Sequence, residues 1–212
     1  MVLAVEAQVD IADALRFLGC RGHSVDANLD ETIERVAAGV NELQPRGLWR
    51  TFPIERVADE GVELEGTSFV LPGSHIARHL RGANQAALMA VTLGADSERL
   101  LKRSACISSL EGILTDACAS SLVDEAANSM SNMIAEDTAA RGLRAGKRFS
   151  PGYGNFPLSS QRDFLRAIDA DKLLGIRLTE GDLMVPMKSV TAVVPLFEEG
   201  TDLIRETAEE GA

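Results

Sequence analysis

From about Ser108 to about Ala140 the chain has no proline and is rich in alanine, which predicts one long helix, with a break near its end as the alternative. Its faces differ. Ala117, Ser120, Ser121, Asp124 and Asn128 recur every three or four residues and form a narrow stripe of small and polar side chains, where a purely structural helix more often shows Leu or Ile. Something must come close on that side. Helix-on-helix packing through small side chains, with Asp124 at the solvated edge, is the plainer reading. Asp124 and its neighbour Glu125 point about 100° apart on a helix, so only one of the two acids faces the stripe.

The rest of the chain alternates helical and extended texture around this stretch. "DIADALRFLGC" spaces Ile11, Ala14, Leu15 and Leu18 on one helical face, with Gly19 and Gly22 marking its end. "DANLDETIERVAAGVNEL" repeats the pattern with Leu29, Ile33, Val36 and Val40. After Pro45, "GLWRTFPIERV", "GVELEG" and "SFVLPG" read as short strands of a small meander. "SHIARHL" predicts a short helix, "AALMAVTLG" a buried strand, and "DSERLLKR" a further helix capped by Asp96 or Ser97. Ser159 or Ser160 is the expected cap of a helix carrying Phe164, Leu165 and Ile168. "IRLTEGDLMVP" and "KSVTAVVPLF" are rich in β-branched residues and complete a strand layer. The expected organisation is a single unit over 1–212: helices and short strands over 1–73, a core over 74–200, and a frayed or partly helical acidic tail over 201–212.

Composition narrows the functional classes. With 45% hydrophobic and 25% charged residues the chain suits a globular protein, and its formal net charge of -11 lacks the basic footprint that nucleic acid or an anionic membrane would require. No apolar run approaches the roughly 20 residues of a membrane helix, and "MVLAVEAQVD" has no basic leader pattern, so a cytoplasmic protein is expected. Cys20, Cys106 and Cys118 are odd in number and widely spaced, which argues for ordinary buried thiols rather than a disulfide framework or structural metal. His75 and His79 share a helical spacing but lack the glutamate of HExxH, so helix-start or interface contacts are expected of them ahead of a metal.

The densest chemistry lies in "KRFSPGYGNF", residues 147–156. Pro151-Gly152 sets a turn that lets a planar ligand approach the main chain, whose N–H and C=O groups can pair with a purine edge. Arg148 can hold a carboxylate or phosphate in a two-pronged pair, and Tyr153, the only tyrosine, offers a hydroxyl and a ring face for a cation. A ligand with an anion, a purine and a positive centre fits these groups, and S-adenosylmethionine has all three. An ordinary surface loop is the competing reading of the same residues.

Several segments together resemble the activation domain of cobalamin-dependent methionine synthase. "RFSPGYGNFPL" followed about twenty residues later by "GIRLTEGDLMVPMKSVTAVV" is similar to that family's Arg-x-x-Pro-Gly-Tyr element and its Leu-Thr-Glu…Met…Pro…Ser-Val segment, in order and spacing. "MAVTLGADSERL" and "TDACASSLVDEAAN" also look like family segments, and "DIADALRFLGCRG" resembles short stand-alone relatives of the domain. The resemblance implies an α+β fold with a twisted antiparallel sheet, flanking helices and a groove for S-adenosylmethionine. It further implies an accessory role in methionine synthase activity: the methyl donor, with an electron from a flavodoxin-like protein, restores oxidised cobalamin to its methylated form. Arg148 would hold the ligand's carboxylate, the backbone at Ser150 and Gly152 would meet the adenine, Tyr153 would border the sulfonium, and Asp124 takes the place of a family glutamate.

The chain also departs from that family. The late tyrosine at the ligand has no counterpart, and Asp10, Asp26 and Asp30 are all candidates for the family's N-terminal aspartate. "GNFPLSSQ" lacks the histidine found near the corrinoid, and no DxHxxG pattern occurs, so cobalamin would arrive only on a partner, a corrinoid-binding methionine synthase or related corrinoid protein. A divergent binding or regulatory module of another corrinoid methyltransferase system is the alternative. An independent methyltransferase fits less well, because there is no glycine-rich strand-to-helix loop and no general base beside the motif.

Overall fold

A computed structural model describes residues 1–19 and 27–198. Cys20, Gly22, His23, Asp26 and the acidic tail over 201–212 lie outside the described residues. The fold is mixed α+β, a strongly curled antiparallel sheet with helices on both faces. Its strands are β1 (Leu3–Ala4), β2 (Arg46–Ala58), β3 (Gly61–Leu64), β4 (Val70–Pro72), β5 (Gln85–Thr92), β6 (Leu143–Ala145) and β9 (Ser189–Glu198). They lie in the order β4-β3-β2-β5-β9-β6, with β1 beside β2.

The apolar runs of β5 and β9 follow from their central position, since both faces of each are covered and little alternation remains. The curl comes largely from β2. Arg46–Pro53 pairs with β5, Ile54–Ala58 pairs with β3, and the register shifts between Ile54 and Arg56 where the strand changes partner. The meander expected between Gly47 and Gly73 is thus present as β2, β3 and β4.

The long helix is α5 (Ser109–Ala139), begun by the Ser108 side chain, which accepts the Glu111 N–H at 3.0 Å. Ala126, Ala127, Met130 and Ile134 pack it onto Ala87, Met89, Val91, Ala192 and Val194 of one sheet face. Close approach needs small residues on both sides. A Cβ on Gly47 would overlap the Met130 side chain and lie 2.9 Å from the Ala90 carbonyl oxygen. The N-terminal half of α5 carries α1 (Ile11–Phe17) and α2 (Ala27–Asn41) through Ala14, Ile33, Val36, Val40, Leu114 and Leu122. The opposite sheet face, with Leu88, Ala90 and Val193, is covered by α3 (Ser74–His79), α6 (Gln161–Ala167) and α7 (Ala170–Leu173).

Four local expectations are corrected. Helix α4 (Gly94–Ile107) starts before Asp96 and Ser97. The chain passes directly from β5 into it, the Thr92 hydroxyl accepts the Gly94 N–H at 3.0 Å, and Ser97 instead turns inward to donate to the Gly94 carbonyl at 2.7 Å. Neither Ser159 nor Ser160 caps α6 with its side chain, because a 3-10 turn over Leu158–Ser160 feeds the helix and leaves the Ser160 hydroxyl buried without a partner among the described residues. "IRLTEGDLMVP" does not join the main sheet; it forms a separate two-stranded hairpin of β7 (Arg177–Leu178) and β8 (Met184–Val185). Cys106 is exposed near the end of α4, whereas Cys118 is buried against α1 and α2 and its thiol is pushed up to about 11 by burial.

Candidate functional site

The small-residue stripe of α5 is met by a different neighbour at each turn. Ser121 accepts the Asp10 N–H and donates to the Asp10 carbonyl, both at 3.0 Å, which ties the start of α1 to the helix. Asp10 uses its own carboxylate to cap α1 by accepting from Ala12 N–H and Asp13 N–H. Ser120 accepts from the ammonium of Lys188 at 2.8 Å, and the same ammonium pairs with Asp116 at 2.9 Å. Helix-on-helix contact therefore accounts for Ser121, against the start of α1, while Ser120 serves the Lys188 ion pair instead.

One turn further on, the neighbour is Arg148. Its guanidinium donates from one nitrogen, Nη2, to Asp124 Oδ1 at 2.6 Å and to Asn128 Oδ1 at 2.9 Å. Asn128 donates in turn to Glu125 Oε1 at 3.1 Å. The pair is partly exposed, with the Arg148 and Asp124 side chains 25% and 36% accessible. A guanidinium has five N–H donors, and those on Nε and Nη1 have no partner among the described residues.

Local sequence explains how Arg148 reaches α5. After β6, Gly146 N–H donates to the Pro195 carbonyl at 2.8 Å, and Phe149 exchanges both main-chain bonds with Val193 at 2.9 and 2.8 Å. Phe149 packs on the face away from α5. Alternation along an extended chain then turns Arg148 toward the helix.

The Pro151-Gly152 turn closes on itself. Tyr153 N–H donates to the Ser150 carbonyl at 3.3 Å, Gly152 N–H to the Phe156 carbonyl at 2.8 Å, and Phe156 N–H to the Tyr153 carbonyl at 3.1 Å. The N–H of Gly152 is thereby committed within the turn. Gly152 and Gly154 have φ of 94° and 56°, the left-handed region that glycine enters without strain. Asn155 pins the turn to α3, accepting His75 N–H at 2.9 Å and donating to the Ser74 hydroxyl at 2.8 Å. His79 Nε2 lies 2.7 Å from the Lys147 carbonyl, its ring 5.1 Å from that of Phe149, and burial holds the imidazole below its ordinary value despite that hydrogen bond. His75 thus touches the turn and His79 the extended segment leading into it, contact roles of the kind expected for them.

These parts enclose an open groove of about 770 Å³, within the usual range for a small-molecule site. Asp124, Arg148, Ser150 and Tyr153 line it, and Gly152 stands behind the wall with its turn. Tyr153 is 68% exposed at the mouth. Sequence reasoning missed Gln161 and Thr191, both buried and both lining the groove. Thr191 could have been found as a polar residue inside the apolar run "SVTAVVPLF", whereas Gln161 lies in the polar run "SSQRD" and carries no such signal.

The fold is that of a methionine synthase reactivation domain. A solved structure described as the crystal structure of the MetH reactivation domain bound to AdoHcy matches over 96% of this chain and 80% of that one, with a TM-score of 0.64 and 18% sequence identity. At that identity the likeness establishes the architecture and leaves the site to be argued from its own residues. No family model and no curated protein matches the chain.

Proposed function

We propose that this chain binds S-adenosylmethionine in the groove beside Arg148 and supports reductive remethylation of cobalamin held by a partner methionine synthase. The observation that carries the reading is the pairing of Arg148 with Asp124 at the wall of an open groove. An amino-acid end carries a carboxylate and an ammonium on one carbon, and a cation beside an anion matches it. Arg148 holds the carboxylate through its uncommitted Nε and Nη1 donors, and Asp124 faces the ammonium. The turn supplies the rest: main-chain groups at Ser150 border the adenine, Gly152 shapes the turn behind them, and the Tyr153 ring borders the sulfonium. S-adenosylmethionine contributes an activated methyl group, and the chain's part is to hold it at an exposed mouth where a corrinoid protein can reach it. The similar MetH domain holds AdoHcy, the form of the same ligand without the methyl.

Calorimetric titration with S-adenosylmethionine and S-adenosylhomocysteine tests this. One-to-one saturation by both is expected, and no heat with either at millimolar ligand would overturn the reading.

A further inference from the structure

The outer edge of β9 is covered along only part of its length. Val193 exchanges its main-chain bonds with Phe149, and Pro195 accepts from Gly146, so odd-numbered residues point their N–H and C=O groups outward. The even-numbered ones face β5, as Lys188 and Leu196 show by accepting from Leu93 and Asn84. Thr191 is the next odd residue. Its N–H and C=O emerge at this edge without a partner among the described residues, because the facing chain has left into the turn at Ser150.

The Thr191 side chain shares the face of Val193, away from α5. There its hydroxyl donates to Gln161 Oε1 at 2.8 Å. Gln161 is 2% exposed and Thr191 1%, yet both line the groove. The carboxamide lies at the groove wall, so its unused donors face the space a ligand would fill. Thr191 occupies the oxygen, and Gln161 Nε2 has no partner among the described residues, so its donors are left for whatever fills the groove.

We propose that Gln161 is a specificity-determining residue for the nucleoside half of the ligand, donating from Nε2 to a ring nitrogen or ribose oxygen. This rests on reading the groove as an S-adenosylmethionine site. Arg148 and Asp124 approach from the α5 face and claim the charged amino-acid end. Gln161 approaches from the opposite face, beside the apolar Phe149, Leu158 and Met184. A neutral donor in such a wall matches a neutral acceptor on a flat heterocycle or its sugar, and the bare edge at Thr191 adds a donor and an acceptor alongside.

5′-Methylthioadenosine keeps the nucleoside and lacks both charged groups, so it separates the two ends. It and S-adenosylhomocysteine are titrated into the wild type and into Gln161→Met, Thr191→Val and Arg148→Ala, with methylthioadenosine measured by displacement where its heat is small. Gln161→Met should weaken both ligands about tenfold, and Thr191→Val, which only frees the amide from its tether, about threefold. Arg148→Ala should weaken S-adenosylhomocysteine alone. Wild-type affinity for both ligands in Gln161→Met overturns the proposal, as does a loss confined to S-adenosylhomocysteine or a wild type that binds S-adenosylhomocysteine but not methylthioadenosine. If Gln161→Met fails to fold, equal affinities in Thr191→Val and wild type overturn it instead. A wild type that binds neither ligand rejects the site itself, a separate and recognisable result.

Discussion

Arg148 is held by Asp124 and Asn128 before any ligand arrives, so its orientation is already set. Preorganisation of this kind lowers the ordering cost of binding. Truncating it in Arg148→Ala should weaken S-adenosylmethionine by roughly 1.5 to 3 kcal/mol, the scale of a charge-assisted hydrogen bond. Lysine should restore only part of this, because it cannot form the planar fork. The protein's own stability should change by less than about 1 kcal/mol, since the pair is partly solvated. Unchanged affinity in calorimetry would remove Arg148 from the site. His79 gives a second expectation at this scale. Burial depresses its folded-state pKa, and the bond from Nε2 to the Lys147 carbonyl opposes burial without overcoming it. The unfolded chain takes up its proton as pH falls through the ordinary imidazole value near 6.5, while the folded chain resists. This contribution to stability is therefore complete above that value and lost as pH drops below it. Melting temperature should fall between about pH 7.5 and about pH 5.5, and His79→Gln, which keeps a donor for Lys147, should show a shallower fall over that interval. A variant with the same pH profile as wild type would show that His79 is not the group responsible.

At the scale of elements, the site depends on a turn clamped to a short helix. A Cβ on Gly154 would run into the His75 ring at Nδ1 and lie 2.9 Å from its Cγ, and the residue's φ of 56° adds backbone strain for any other side chain. Gly154→Ala should cost about 1 to 2 kcal/mol of stability. It should also weaken S-adenosylmethionine, because relieving the clash moves the turn that carries Tyr153 and follows Arg148. Adding His75→Ala should recover part of both losses in thermal melts and titrations; no recovery would mean that the contact between turn and helix is not what positions the site. The elements were legible where one physical signal dominated. Helix α5 was plain because its alanine-rich run has no proline, β5 because a strand buried on both faces reads as a short apolar run, and β9 because of its β-branched residues. Asp124 stood out through the spacing of the stripe. Its pairing with Arg148, 24 residues on, depended on β6 crossing beside β9, which no local pattern encodes. The cap of α4 was misplaced because Thr92 performs the capping from within a strand. Gln161 and Thr191 were overlooked because each is a single polar residue whose partner lies across the fold.

The whole molecule presents an apolar rim beside the groove. Met184 lines the cavity, and its neighbours Leu183, Val185 and Met187 are exposed, as is Tyr153 across the mouth. Isolated exposed apolar residues carry little meaning, but several around one opening suit a surface that another protein covers. The formal charge of -11 makes such a partner's docking face one that tolerates or complements acid. No described helix is long and apolar enough to cross a membrane. If the rim receives a corrinoid-carrying methionine synthase, the productive species is a transient complex in which the methyl donor lies between the two chains. The chain alone should then fail to methylate homocysteine at a useful rate, since in this reading the methyl passes to a corrinoid carried by the partner. Mixed with an inactive cob(II)alamin-loaded synthase, a flavodoxin-like electron donor and S-adenosylmethionine, it should restore the methylcobalamin absorbance. Arg148→Ala should slow that recovery by weakening the donor. Replacing Leu183 and Met187 together by serine should slow it as well, while leaving S-adenosylmethionine titrations unchanged, because those side chains flank the groove without lining it. A cob(II) spectrum that stays unchanged with each corrinoid partner tried, by a protein that still binds S-adenosylmethionine, would reject the reactivation role and leave a binding or regulatory module of another corrinoid methyltransferase system as the reading that accounts for the groove.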